Sequence, residues 1–279
     1  MNLKKFAIQI RIETLKCLAH RGFGHVGGSL SIADTLAALY SGIMKINPQN
    51  INDENRDYLV ISKGHAGPAL QSTLALKGYF PIEWLKTMSE GGTKLPSHCD
   101  RLRTPGVDVT TGSLGQGISV AAGIAHAFKL KKLNNRVYCI LGDGEIQEGQ
   151  VWESVLYANQ YKLNNLICFV DWNKKQIDGT IDEVITLLDI EQKFRSFGWY
   201  TDKVDGSNPV EIYNSIINAQ KKSNSKPIMI LLDGIKGSGV KIIEDLSFNH
   251  LITFTNELLE KSLKELNKQM EQLEKEEIK

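Results

Sequence analysis

The sequence has no excess of charge of either sign. Its 33 Lys and Arg nearly cancel its 32 Asp and Glu, so no basic face is implied and neither nucleic acid nor an anionic membrane is expected as a partner. It has no uninterrupted apolar run reaching the roughly 18 residues of a membrane span. The opening MNLKKFAIQIRIETLKCLAH could pass for a signal peptide, but Gln9, Arg11, Glu13 and Lys16 interrupt its apolar positions. That pattern predicts an amphipathic helix. The four cysteines, Cys17, Cys99, Cys139 and Cys168, include no CxxC pair. Cys139 and Cys168 fall inside strand-like runs, as buried reduced thiols of a cytoplasmic protein do. There is no internal repeat and no low-complexity linker.

What is present is an alternation. The stretch up to about Lys86 reads as helical, with breaks at Gly22 to Gly28, Pro48 and Gly64 to Pro68. A loop-like segment, Gly91 to Thr111, precedes an Ala- and Gly-rich helix over Leu114 to Lys132. Three continuously apolar runs follow: VYCIL from Val137, LICFV from Leu166 and IMILL from Ile228, with a weaker strand near Trp199 to Val204. Helical segments over Glu148 to Tyr161, Asp189 to Phe197 and Pro209 to Lys222 separate them. Apolar strands alternating with helices predict an α/β fold, a parallel sheet with helices on both faces. From Asn256 to Lys279 a last helix carries Leu259, Leu263, Leu266, Met270 and Leu273 at steps of four and three. Such a stripe packs either on its own domain or as a seam for a partner. The expected division is one domain over 1–253 and a C-terminal amphipathic helix over 254–279.

The first run ends in Gly142-Asp143-Gly144 and the second in Asp171-Trp172-Asn173. Ligands of parallel sheets bind beyond the carboxyl ends of the strands, so Asp143 and Asn173 are expected in one crevice. A carboxylate and an amide oxygen suit Mg²⁺ or Ca²⁺, with open positions left for phosphate oxygens and water. Gly142 and Gly144 would let the backbone approach an anion without a Cβ.

GDGEIQEGQVWES followed by DWNKKQIDG resembles the bipartite thiamine-diphosphate signature, in the form found in transketolases. The resemblance runs from about Arg11 to His250 and includes GHVGGSLS (24–31), SKGHAGPALQ (62–71), LPSHCD (95–100) and GVDVTTGSLGQGIS (106–119). It implies that Asp143, the Asn173 side chain and the Lys175 backbone carbonyl hold the metal, Mg²⁺ with Ca²⁺ or Mn²⁺ as substitutes. Gly144 would contact the diphosphate, Asn173 would contact both metal and cofactor, and Gly112, Ser113 and Leu114 would line the cofactor rings. His25, His65, His98 and His250 fall at positions where the family's imidazoles meet sugar hydroxyls and developing charge, with His65 and His250 also touching cofactor. Imidazole suits this because it donates, accepts or exchanges a proton near neutral pH. Taken alone, a histidine is more often a surface or satisfied core residue, and His20 and His126 are read that way. Glu145 is either a solvated helix-start residue or a cofactor contact. Glu148 is implied near the cofactor at a subunit boundary, and Asp178 and Gly179 shape the metal loop. Val26 and Cys99 stand where the family often has proline. Asn249 and Leu251 replace the usual aromatic and glycine around His250, the weakest of the four matches.

The resemblance implies transfer of a two-carbon ketol unit from a ketose or ketose phosphate to an aldose. The glutamate that activates the cofactor belongs to the family's pyrimidine-binding domain, which this sequence does not contain. A C-terminal transketolase subunit is therefore the expected partner, in a heterotetramer. The competing readings are a subunit of a 2-oxoacid dehydrogenase or deoxyxylulose-phosphate synthase, and a non-catalytic scaffold.

Overall fold

The computed structural model describes residues 2–277. Five strands form one parallel sheet: β2 (Tyr58–Ile61), β3 (Val137–Gly142), β4 (Leu166–Trp172), β5 (Tyr200–Asp205) and β6 (Ile228–Asp233), in the order β2-β3-β4-β6-β5. A two-residue strand β1 (Phe23–Gly24) pairs antiparallel with β7 (Ile252–Thr253) in a separate ladder.

The apolar runs are continuous because both faces of the sheet are covered. Tyr138, Ile140, Ile167, Phe169, Ile228 and Ile230 face one core, against the helices Leu3–Arg21, Ala33–Ala38, Gly67–Leu76 and Pro209–Lys222. Cys139, Leu141, Cys168, Val170, Met229 and Leu231 face the other, against Gln116–Leu130 and Gly149–Gln160. This is the expected parallel α/β layering. Local signals set the helix ends. Asn2 and Asn208 cap the helices that follow them through their side-chain oxygens, and Gly22 closes the first helix in the left-handed region at φ 89°.

The sequence reading missed one sheet strand. Tyr58–Ile61 lies in a stretch read as helical, yet it is an edge strand in register with β3, Val60 beside Cys139. The helix Asn256–Glu277 packs intramolecularly. Leu266 is fully buried, and Leu258, Leu259, Met270 and Leu273 lean on the core that holds the first helix. The stripe is thus used within the chain and is not free as a seam. Ile278 and Lys279, the end of the predicted helix, lie outside the described residues. No helix among the described residues is long and apolar enough to cross a membrane.

All four cysteines are free and buried. Burial pushes the Cys17 and Cys99 thiols up to about 12 and raises Cys139 as well. Thiolate is the reactive form, so the native chain is expected to take up no Ellman's reagent over minutes and four equivalents once denatured. Rapid native labelling of even one thiol would contradict this burial.

Candidate functional site

The site lies along the carboxyl edge of the parallel sheet. Gly142 on β3 is in register with Asp171 on β4, which brings Asp143 and Asn173 to the same edge. Both are buried, 3% and 6% exposed. They line one cleft of about 180 Å³ with Gly144, Glu145, Lys175, Lys236, His65, His250 and Leu114. The crossing from Asp143 to the second loop is direct, because its Oδ2 accepts from the Lys174 backbone N–H at 2.6 Å. Its Oδ1 accepts from the Gly144 N–H at 2.8 Å. Burial first, and the nearby Asp171 carboxylate second, push Asp143 up to about 7.

This donor set fits a hard divalent cation. It offers a buried carboxylate, the Asn173 amide oxygen and the Lys175 carbonyl, all oxygen. A cation beside Asp143 would relieve the buried negative charge that raises its pKa. Among the described residues no group of three or more His, Cys, Asp or Glu gathers to hold an ion unaided, so further ligands would come from a bound anion. At Gly144 a Cβ would stand 2.9 Å from Gln176 Oε1 and 3.2 Å from its Cβ, so a larger residue would make the Gln176 side chain shift. At Gly142 a Cβ would meet no protein atom nearer than 3.5 Å. The loop after Asn173 closes as a tight turn, with the Gln176 N–H donating to the Gly179 carbonyl at 2.9 Å and Gly179 at φ 152°.

The four histidines gather beside this cleft, although the sequence scatters them. His25 directly follows β1 and His250 shortly precedes β7, so the antiparallel ladder sets their rings 5.2 Å apart. His65, just past the end of β2, is 4.8 Å from His250 and 5.6 Å from His25. His98, from a loop, is 5.5 Å from His25. Burial lowers all four pKa values; nearby cations lower His25, His65 and His250 further, the last to about 3. At neutral pH each ring is therefore uncharged, able to donate from one nitrogen and accept at the other. Lys236 Nζ lies 3.1 Å from His250 Nδ1. An ammonium can only donate, which places the His250 proton on Nε2.

The remaining predicted residues divide. Of Gly112, Ser113 and Leu114, Leu114 lines the cleft and the other two stand exposed beside it. Glu145 is not a solvated helix-start residue. It is 2% exposed, and its carboxylate accepts from Ser62 Oγ, the Gly115 N–H at 2.9 Å and the Gly142 N–H at 3.0 Å. It ties the strand end to the loop carrying Leu114. Glu148 is exposed at the start of the helix Gly149–Gln160 and lines no part of the cleft. His126 is a surface residue bonded to Tyr157 through Nδ1.

Three buried charges were missed. Lys63 and Asp171 form an ion pair of 2.6 Å at 1% and 2% side-chain exposure. Lys236, lowered by burial to about 8, donates to the Lys175 carbonyl at 3.0 Å. Asp171 carried a signal, since it falls on the inward face of β4 with Ile167 and Phe169. Lys63 lies within the family-like segment 62–71 but was not singled out there, and Lys236 was not singled out either.

Residues 3–265 match the family model described as "Transketolase, thiamine diphosphate binding domain". The chain belongs to the transketolase family. Its transketolase relatives include the "6-deoxy-6-sulfo-D-fructose transketolase subunit SqwG" of Clostridium sp. (strain MSTE9), 49% identical over 96% of this chain and 98% of that protein. An apulose-4-phosphate transketolase subunit of Phocaeicola vulgatus is 37% identical over 91% of this chain and 89% of its own length. The crystal structure of transketolase from Campylobacter jejuni superimposes with a TM-score of 0.88 at 30% identity, covering 96% of this chain. This chain spans 43% of that transketolase.

Proposed function

We propose that this chain is the diphosphate- and Mg²⁺-binding subunit of a two-subunit transketolase that moves a two-carbon ketol unit from a ketose to an aldose. The observation that carries the proposal is the convergence of Asp143, Asn173 and the Lys175 carbonyl with four neutral histidines around one edge of the sheet. A metal cradle alone would serve many diphosphates. A ring of uncharged imidazoles beside it suits a polyhydroxylated substrate, whose hydroxyls need donors and acceptors together.

When bound, thiamine diphosphate supplies the carbanion chemistry that breaks and forms the carbon–carbon bond. The residues of this chain do the rest. Asp143, Asn173 and the Lys175 carbonyl hold the cation, the Gly144 backbone leaves room for the diphosphate, and His65, His250, Gly112, Ser113 and Leu114 pack around the cofactor. His25 and His98 hold the sugar hydroxyls and carry protons to and from them. Residues 1–253 carry this site, and the C-terminal helix within 254–279 braces the first helix. Glu148, exposed near the cleft, faces the partner subunit.

A partner with the pyrimidine-binding domain, best sought beside this gene, is supported by two relatives of matching length that are named as subunits. A heterotetramer is the assembly this implies. Buried reduced thiols agree with a cytoplasmic setting. The name of the 49% identical relative makes 6-deoxy-6-sulfo-D-fructose the first donor to test.

The test is a reconstitution with Mg²⁺, thiamine diphosphate, an acceptor aldose and either this sulfosugar or fructose 6-phosphate as donor. Ketol transfer is expected with the partner present, and a rate at least about a hundredfold lower without it. Full transfer by this chain alone would overturn the two-subunit reading, and 2-oxoacid decarboxylation by the pair would overturn the reaction class.

A further inference from the structure

We infer that Asp171 and Lys63 are positioning residues that fix the Asn173 amide with its oxygen toward the cleft and its nitrogen away from it. The inference rests on the proposal that Asn173 is a metal ligand, and extends it to what makes that side chain a ligand.

An amide has two ends of nearly equal size, and only the oxygen can bind a cation. Its orientation is set by its hydrogen-bond partners. Asn173 Nδ2 donates to Asp171 Oδ2 at 2.7 Å. That carboxylate oxygen is the acceptor, so it holds the nitrogen end and turns Oδ1 away, where it also accepts from the Lys175 N–H at 3.2 Å. Asp171 is itself immobilised. The same Oδ2 accepts from Lys63 Nζ at 2.6 Å and Ser31 Oγ at 2.7 Å. Lys63 Nζ in turn donates to the Gly28 carbonyl at 2.8 Å. Three donors therefore converge on Asp171 Oδ2, from Lys63, Ser31 and Asn173, so that oxygen acts only as an acceptor toward the Asn173 amide. The network runs from Gly28 through Lys63 and Asp171 to Asn173, outside the ligand set itself. Partners of this kind typically account for 10–100-fold in metal affinity.

The experiment uses the full chain with its partner and thiamine diphosphate, with Mn²⁺ as probe and free Mn²⁺ followed by its electron paramagnetic resonance signal. Lys63→Met/Asp171→Ala removes both charges together, leaving no lone buried ion. It is expected to bind Mn²⁺ roughly 10–100-fold more weakly, with its circular dichroism unchanged. Adding Asn173→Asp to that variant is expected to restore affinity to within about threefold, because a carboxylate presents oxygen at either end. In the otherwise intact chain Asn173→Asp has the opposite effect, at least about tenfold weaker binding, since it sets a carboxylate against Asp171. A merely structural role for the pair predicts no such reversal. Wild-type affinity in the double variant, or no recovery in the triple, overturns the inference. If the double variant does not fold, Asn173→Asp alone decides, and unchanged affinity there overturns it. Should Asp143→Ala also leave Mn²⁺ binding intact, the metal proposal itself fails, a result distinct from these.

Discussion

Asp143→Ala is expected to weaken Mg²⁺-dependent binding of thiamine diphosphate by at least about a hundredfold and to abolish transfer in the reconstituted pair. A unit charge about 4 Å from a cation is worth on the order of 4 kcal/mol at an effective dielectric near 20, close to a thousandfold in affinity. Water filling the gap returns part of that. The substitution also strands the Gly144 and Lys174 N–H groups that now donate to the carboxylate. Calorimetric titration with cofactor at fixed Mg²⁺ measures the loss, and an affinity within threefold of the unaltered chain would sink the metal assignment. The opposite sign is expected for stability. Asp143 is raised above its unfolded value to about 7, so the folded chain holds its proton more tightly than the unfolded one. The resulting stability is full below the unfolded pKa near 4 and is lost as pH rises through about 7. Without cofactor at pH 8, Asp143→Asn should therefore melt higher than the unaltered chain. A gain on the order of 1 kcal/mol corresponds to roughly 2–4 °C for a chain of this size. A residue that costs the fold and serves the ligand is the usual sign of a functional position.

His25→Ala and His98→Ala are each expected to lower kcat/KM by about 10²–10⁴ while leaving cofactor affinity within about threefold. Both rings belong to the histidine cluster, yet neither lines the cleft that contains Asp143 and Asn173. Their work is thus separable from cofactor retention, unlike that of His65 and His250, which line it. His25→Gln keeps a hydrogen-bonding end but cannot exchange a proton near neutrality, so it should recover KM more than kcat. Burial lowers the His25 and His98 pKa values below the ordinary imidazole value, so both rings stay mainly neutral down to about 6.5. The rate with the unaltered pair should accordingly stay level from pH 8 down to about 6.5. A steep fall within that range, or cofactor affinity lost together with rate in His25→Ala, would contradict this division of labour.

Much of this architecture was legible. β3, β4 and β6 announced themselves as uninterrupted apolar runs because each is buried on both faces, and the residues after them fell at the ligand-binding edge by the geometry of parallel sheets. The strand Tyr58–Ile61 did not, since four residues between a polar loop and a glycine-rich turn give periodicity too little length to register. Lys63 and Lys236 were hidden for another reason. Lysine is so seldom fully buried that a lysine in a polar segment reads as solvent-facing, and only tertiary contacts reveal that Lys63 is paired with Asp171. Of the two readings open at Glu145, the solvated one does not hold. Its place at a helix start suggested solvent, but the Gly115 and Gly142 N–H groups draw it inward.

The ladder joining Phe23–Gly24 to Ile252–Thr253 has a bearing on biogenesis. His25 and His250, far apart in sequence, become neighbours through that pairing, so a nascent chain made only as far as Gly179 carries Asp143 and Asn173 without the completed histidine cluster. Contacts so remote in sequence form late. Fragments released by stalled translation between Gly179 and His250 would thus keep the proposed cation ligands but lack the full cluster proposed to meet the sugar.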